Sequence, residues 1–268
     1  MRLQRFALGI QYDGTLYHGW QMQESVQNIQ GVLEAALSYV ANHPVKITCA
    51  GRTDAGVHAS GQVVHFDTYA TRRLDAWVLG TNSQLPSDIR VVWSKPVDDT
   101  FHARYSAKSR RYHYWIHNAR VKPALMRQGM GWCYRPLDAM AMHRAAQCLV
   151  GEHDFSSFQG AGCQSRHPTR TVLDIAVARS GPLVRVNVSA NAFLLHMVRN
   201  IVGALMAVGI GAESEVWMAA LLAARDRTKG RMTVAPHGLY LVNVVYPTCF
   251  EIPTGFDGPW FGEFLEAV

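Results

Sequence analysis

Phe6, Leu8, Ile10 and Tyr12 alternate with their neighbours and predict a half-buried strand. The period then lengthens: Ile29, Val32, Leu33, Ala36, Leu37 and Val40 fall on one face at helical spacing, and Pro44 stops the run. Residues 45–50 read as a second strand. A turn-rich stretch, 51–61, leads to a third strand around 63–66. A second helix fits 73–82, with Leu74, Trp77, Val78 and Thr81 on its buried side, and 89–93 is a fourth strand. The order is β-α-β-β-α-β.

The same order recurs at longer spacing. Residues 111–116 form a strand with Tyr112, Tyr114 and Ile116 on one face, and Asp138 can cap a helix that presents Met142, Ala145, Ala146 and Leu149. Two strands, 172–178 and 183–188, are joined by Ser180, Gly181 and Pro182. A long helix follows over 192–208, a shorter one over 214–224, and 239–246 closes as a strand. The expected fold class is α+β: two ferredoxin-like β-α-β-β-α-β halves in a pseudo-symmetric arrangement, mainly antiparallel sheets with helices on one face. The halves divide as 1–105 and 106–268, joined near 100–109.

Composition sharpens this picture only in part. The 268 residues are 49% hydrophobic, enough for a large core, and a net charge of +6 favours a polyanionic partner. The five cysteines are scattered, with no CxxC pair, so neither a disulfide framework nor a zinc ribbon is indicated. They read as small apolar residues in a reducing compartment. The longest apolar stretch, 193–210, carries His196, Arg199 and Asn200 near its centre, which a bilayer disfavours. With no secretory pattern at the start, a soluble cytoplasmic protein is expected, without membrane association.

Three groups of residues carry chemistry. The stretch Gly51-Arg52-Thr53-Asp54-Ala55-Gly56-Val57-His58-Ala59 places an acid, a base and a hydroxyl in a glycine-bent turn between two predicted strands. Asp54 can serve as an ordinary turn residue, or as a carboxylate held at a strand end beside Arg52, able to attack a sugar C1′ or take a proton near it. Arg199 interrupts an apolar helix face formed by Leu194, Val198, Ile201, Val202 and Leu205, so it needs an anionic partner. The middle of the chain interleaves Arg104, Lys108, Arg110, Arg111, Arg120, Lys122, Arg127 and Arg135 with Tyr105, Tyr112, Tyr114, Trp115, Trp132 and Tyr134. Cations for phosphates and aromatic faces for bases suit RNA.

The 51–59 stretch resembles the signature of the tRNA pseudouridine synthase A family. Other blocks agree in order: Gln11-Tyr12-Asp13-Gly14 with Gly19-Trp20-Gln21, Phe101-His102-Ala103-Arg104, Arg110-Arg111-Tyr112-His113-Tyr114, and Gly151-Glu152-His153-Asp154-Phe155. They continue with Arg170-Thr171-Val172, Asn191-Ala192-Phe193, His196 to Gly203, and Gly238-Leu239-Tyr240-Leu241. Leu195 stands where many members are expected to carry a second histidine. The resemblance implies Asp54 as the catalytic aspartate and Arg52 as an arginine holding RNA or the displaced base. It also implies Tyr112 as the tyrosine stacking on the target base, Arg199 as the arginine pairing with Asp54, and Leu239 as an apolar wall of the uracil pocket. It further implies a homodimer acting on uridines 38, 39 and 40 of the tRNA anticodon stem-loop.

On the residues alone, Tyr112 reads as a core aromatic and Leu239 as a core leucine. Turning a uridine about its glycosidic bond oxidises nothing and carries no group, so no cofactor is expected. Competing readings are a non-catalytic RNA-binding protein, which leaves the Arg-Thr-Asp turn unexplained, and a metal-dependent nuclease. For the nuclease neither an acid cluster nor a convincing ligand set is present, with metal ligands assigned to none.

Overall fold

A computed structural model describes residues 3–165, 167–254 and 258. The described residues are mixed α+β, with five α-helices among them and mostly antiparallel strand pairing. They form two compact units: the residues through Arg110 together with the stretch from Tyr240, and Arg111–Leu239. Residues 240–254, assigned by their place in the sequence to the second half, group with the first unit.

In the first unit, β1 (Gln4–Tyr12) lies between β4 (Ile89–Val97) and β3 (His58–Thr68), antiparallel to both. β2 (Ile47–Cys49) pairs antiparallel with the far end of β3, and β10 (Leu239–Val245) pairs parallel with its start, Tyr240 opposite His58. β3 is the central strand, and nine of its eleven residues are buried, the polar His58, Gln62 and His65 among them. It begins at His58, inside the turn-rich stretch where the sequence placed a loop.

Helix α1 (Ile29–Ala41) starts where the Asn28 side chain accepts the Gly31 N–H at 2.8 Å, and ends at Asn42 in the left-handed region (φ 58°). The predicted 73–82 helix is a π-helical turn, Ala76–Gly80, running into the short α2 (Thr81–Gln84). The wider turn changes the register. Trp77 and Thr81 are buried, while Leu74, expected on the same face, is exposed. Trp77 packs its ring against Phe6 and Phe66, at 5.4 and 5.1 Å between centroids, which docks this segment on the sheet.

In the second unit, β5 (Ser109–Asn118) neighbours β9 (Leu183–Ala190), followed by β8 (Thr169–Ser180) and β7 (Gly151–Asp154), with β6 (Gly131–Cys133) alongside β5. Asp138 caps α3 (Ala139–Ala146) as expected, accepting the Ala141 N–H at 2.9 Å. α3 packs on β8 and against α4 (Met197–Gly209) and α5 (Glu215–Ala224).

The long helix expected from 192 begins only at Met197. His196 adopts φ 58°, a left-handed conformation that breaks the helical path, and the Leu195 carbonyl accepts from Gly160 N instead at 2.7 Å. Of the aromatics interleaved with the mid-chain cations, Tyr112, Tyr114 and Trp115 are core, whereas Tyr105, Trp132 and Tyr134 are exposed. The cysteines are free: Cys49 and Cys133 are buried, Cys148 and Cys163 half-buried, and Cys249 is exposed. Among the described residues, no helix is long and apolar enough to cross a membrane.

Candidate active-site residues

Asp54 sits in the turn linking β2 to β3, and that turn is held from several sides. Its own main chain closes it, Val57 N donating to the Asp54 carbonyl at 3.1 Å. The loop of residues 13–20 presses against it: Trp20 N donates to Thr53 O at 3.0 Å and Gly56 N to Tyr17 O at 3.3 Å. That approach demands glycine at two places. A Cβ on Gly14 would lie 2.0 Å from the Val57 carbonyl oxygen. Gly19 has φ +87°, and a Cβ there would lie 2.7 Å from Thr53 O.

Beneath the turn, Tyr12 Oη and Thr53 Oγ1 share a buried hydrogen bond of 2.8 Å. Gln62 Nε2 donates to Gly51 O at 2.6 Å. Arg110 donates to the Ala50 carbonyl from Nε at 3.3 Å and from Nη2 at 2.9 Å, fixing the residue before the turn. At the other end His58 Nδ1 lies 3.1 Å from Gly14 N and 3.0 Å from Asp13 Oδ1. Protonated, it donates to the carboxylate; unprotonated, it accepts the amide. The His58 contact, with help from Thr15, holds the Asp13 carboxyl well below the usual carboxylate range.

Asp54 is thus a half-buried carboxylate on a backbone with little freedom, and Arg52 stands exposed two residues before it. The bracing bonds were not legible as function: Tyr12, Thr53 and Gln62 are polar residues on or beside strands, and only the fold pairs them across 41 and 50 residues. Thr53→Val deletes the buried bond while keeping the shape. It is expected to lower stability by about 1 kcal/mol in urea unfolding and to lower turnover.

The remaining three predicted residues lie in the second unit. Tyr112 is buried on β5 with its ring edge-on to Phe193 at 5.0 Å. Arg199, half-buried on the first turn of α4, donates from Nε to the Val234 carbonyl at 2.8 Å. Tyr114 Oη donates to the next carbonyl, Ala235 O, at 2.9 Å. Two side chains therefore hold consecutive carbonyls of the segment that runs through Pro236–Gly238 to the buried Leu239.

Asn200 completes this support. Its Nδ2 donates to Phe158 O at 2.7 Å, and its Oδ1 accepts from Thr233 Oγ1 at 2.6 Å and from Arg227 at 3.0 Å. A buried asparagine inside an apolar helix was the available sequence signal for this hub.

The model of the family described as tRNA pseudouridine synthase matches residues 9–106 and 145–247. Relatives called tRNA pseudouridine synthase A align over 257 residues. The one from Coxiella burnetii is 58% identical, covering 96% of this chain and 98% of the relative. Those from Salmonella arizonae and Escherichia fergusonii are each 56% identical, covering 96% of this chain and 95% of the relative. With Arg52 and Asp54 in the first matched block, Arg199 and Leu239 in the second, and relatives 56–58% identical over nearly the whole chain, the chain belongs to the tRNA pseudouridine synthase family.

Proposed function

We propose that this protein isomerises uridine to pseudouridine in tRNA, at positions 38, 39 and 40 of the anticodon stem-loop, acting in the cytoplasm as a homodimer of chains built from two ferredoxin-like halves. The observation that carries the reading is the braced Asp54 turn, in a chain 56–58% identical to proteins named for this chemistry.

The reaction breaks the C1′–N1 glycosidic bond, turns the uracil and joins C1′ to C5. The C5 proton leaves and N1 gains one, so the balance is that of an isomerisation. Asp54 opens it at the sugar, by attack on C1′ or by removal of a sugar proton. The target uridine must leave its stack, at a cost of a few kcal/mol. In this reading Tyr112 stacks on the extruded base, Leu239 walls the uracil, Arg52 holds RNA or the turning base, and the Arg199 guanidinium serves the same site. A carbodiimide-based pseudouridine assay on unmodified tRNA tests the activity; binding without product would leave an RNA-binding protein in its place.

In this reading the phosphate contacts fall to the exposed cations of the mid-chain basic stretch. Arg110 is occupied with main-chain carbonyls of the first unit, whereas Arg120, Lys122 and Arg127 are exposed. Neutralising these three together is expected to weaken tRNA binding and flatten its salt dependence by about 0.7 to 0.9 in log–log slope per lost contact. An unchanged slope removes them from the RNA path.

A further inference from the structure

The turn at residues 102–106 is built more firmly than its exposure requires. His102 Nδ1 accepts from both Arg104 N at 3.2 Å and Tyr105 N at 3.1 Å, and Ser106 Oγ accepts from His102 N at 3.0 Å. The Tyr246 hydroxyl donates to Ala103 O at 2.6 Å, and Ala103 N donates to His65 Nδ1 at 3.1 Å. What this scaffold presents is an aromatic stack. The His102 ring lies face to face with Tyr105, centroids 4.3 Å apart and planes within 28°, and His65 backs His102 at 4.8 Å. Tyr105 is 76% exposed, and the Arg104 guanidinium hovers 5.7 Å from its ring centre.

A tyrosine so exposed contributes little to a core, yet five hydrogen bonds and a two-histidine backing fix its place. With Nδ1 used as an acceptor, His102 is in its neutral form, and burial together with Arg5 and Arg104 pushes its pKa below the usual value. The platform is therefore an uncharged π-surface flanked by cations.

The surroundings indicate the partner. Arg110 donates to Arg104 O and Ala107 O with the same guanidinium that holds Ala50, the residue before the Asp54 turn. Arg52, Arg104 and Arg110 all lie close enough to Cys49, at the end of β2, to act on its thiol. Positive charge beside a rigid aromatic face matches an unstacked nucleotide, whose base has a π-face and whose phosphate is anionic.

We infer that Tyr105, backed by His102, is a stacking platform for an unpaired base of the bound RNA, with Arg104 contacting the adjoining phosphate. This rests on the tRNA reading above and adds to it a second place, apart from Tyr112, where a base leaves its helix.

The test is the dissociation constant for unmodified tRNA, with turnover measured in parallel. Tyr105→Ala is expected to weaken binding about 5- to 100-fold, as loss of one base–aromatic stack does. Tyr105→Phe and Tyr105→Trp, which keep the face without the hydroxyl, are expected to stay within about twofold of the parent. Arg104→Ala is expected to reduce the salt slope by about 0.7 to 0.9.

Unaltered binding by Tyr105→Ala overturns the platform. So does an equal loss in Tyr105→Ala and Tyr105→Phe, which would mark a hydroxyl contact instead of stacking. If Tyr105→Ala loses binding and the parent makes no pseudouridine, the platform stands and the isomerase reading fails. If the parent turns over and Tyr105→Ala binds normally, the reverse holds.

Discussion

Asp54→Asn is expected to abolish pseudouridine formation, a fall of at least about three orders of magnitude, while tRNA binding stays within a few-fold of the parent. The change is nearly isosteric. The turn is closed by main-chain atoms, Val57 N to Asp54 O, and braced by Tyr12, Trp20 and Arg110 at neighbouring residues, so the asparagine inherits the aspartate's place. What it loses is the negative charge, and an amide can neither attack C1′ nor take a sugar proton. Contacts to RNA lie elsewhere in this reading, on exposed cations and aromatic faces, so affinity is preserved. The measurement is single-turnover formation of pseudouridine with enzyme in excess, alongside filter binding. Residual turnover near the parent rate would remove Asp54 from the chemistry. Lost binding with lost turnover would make it a structural residue of the turn.

Much of this architecture was legible because it is local. Alternation marked β1, and the 3.6-residue period marked α1 down to its terminating region; Asp138 announced α3. Where the sequence misled, a non-local contact or an unusual backbone decided the outcome. Leu74 fitted one α-helical face with Trp77 and Thr81; those two are buried as expected, but Leu74, ahead of the π-helical turn, is exposed. Residues 192–196 are apolar enough for helix, but the left-handed His196 and the Leu195–Gly160 bond hold them outside it.

The candidate site shows the same division. Asp54 and Arg52 stood out because acid, base and glycines crowd nine positions. Tyr12, Thr53, Gln62 and Asn200 did not, since a polar residue among apolar ones reveals its partner only after the chain has folded. Arg110 carries the clearest lesson: its position in a basic cluster suggested phosphate, and the fold gives it main-chain carbonyls instead.

Arg199→Lys is the second large effect, an expected fall of about 10²-fold in kcat with tRNA affinity changed much less. Arg199 stands on the first turn of α4 among Val198, Ile201 and Val202, all buried, and is itself half-buried. Its Nε donates to Val234 O at 2.8 Å, which fixes the plane of the guanidinium, and a guanidinium held in one plane presents a carboxylate with a directed fork that an ammonium cannot offer. Lysine keeps the charge but has no Nε to spend on Val234, so the ammonium swings on a flexible stem and the Val234 carbonyl loses its donor. Both losses reach the segment leading to Leu239, which Thr233, through Asn200, and Tyr114 continue to hold.

The chemical step should therefore suffer more than the fold. Thermal unfolding is expected to drop by only a few degrees, while single-turnover rates fall steeply. An arginine that merely met phosphate would give the opposite pattern: weaker binding, a shallower salt slope and an unchanged rate at saturating tRNA. Rate and salt slope measured on the same Arg199→Lys preparation separate the two roles.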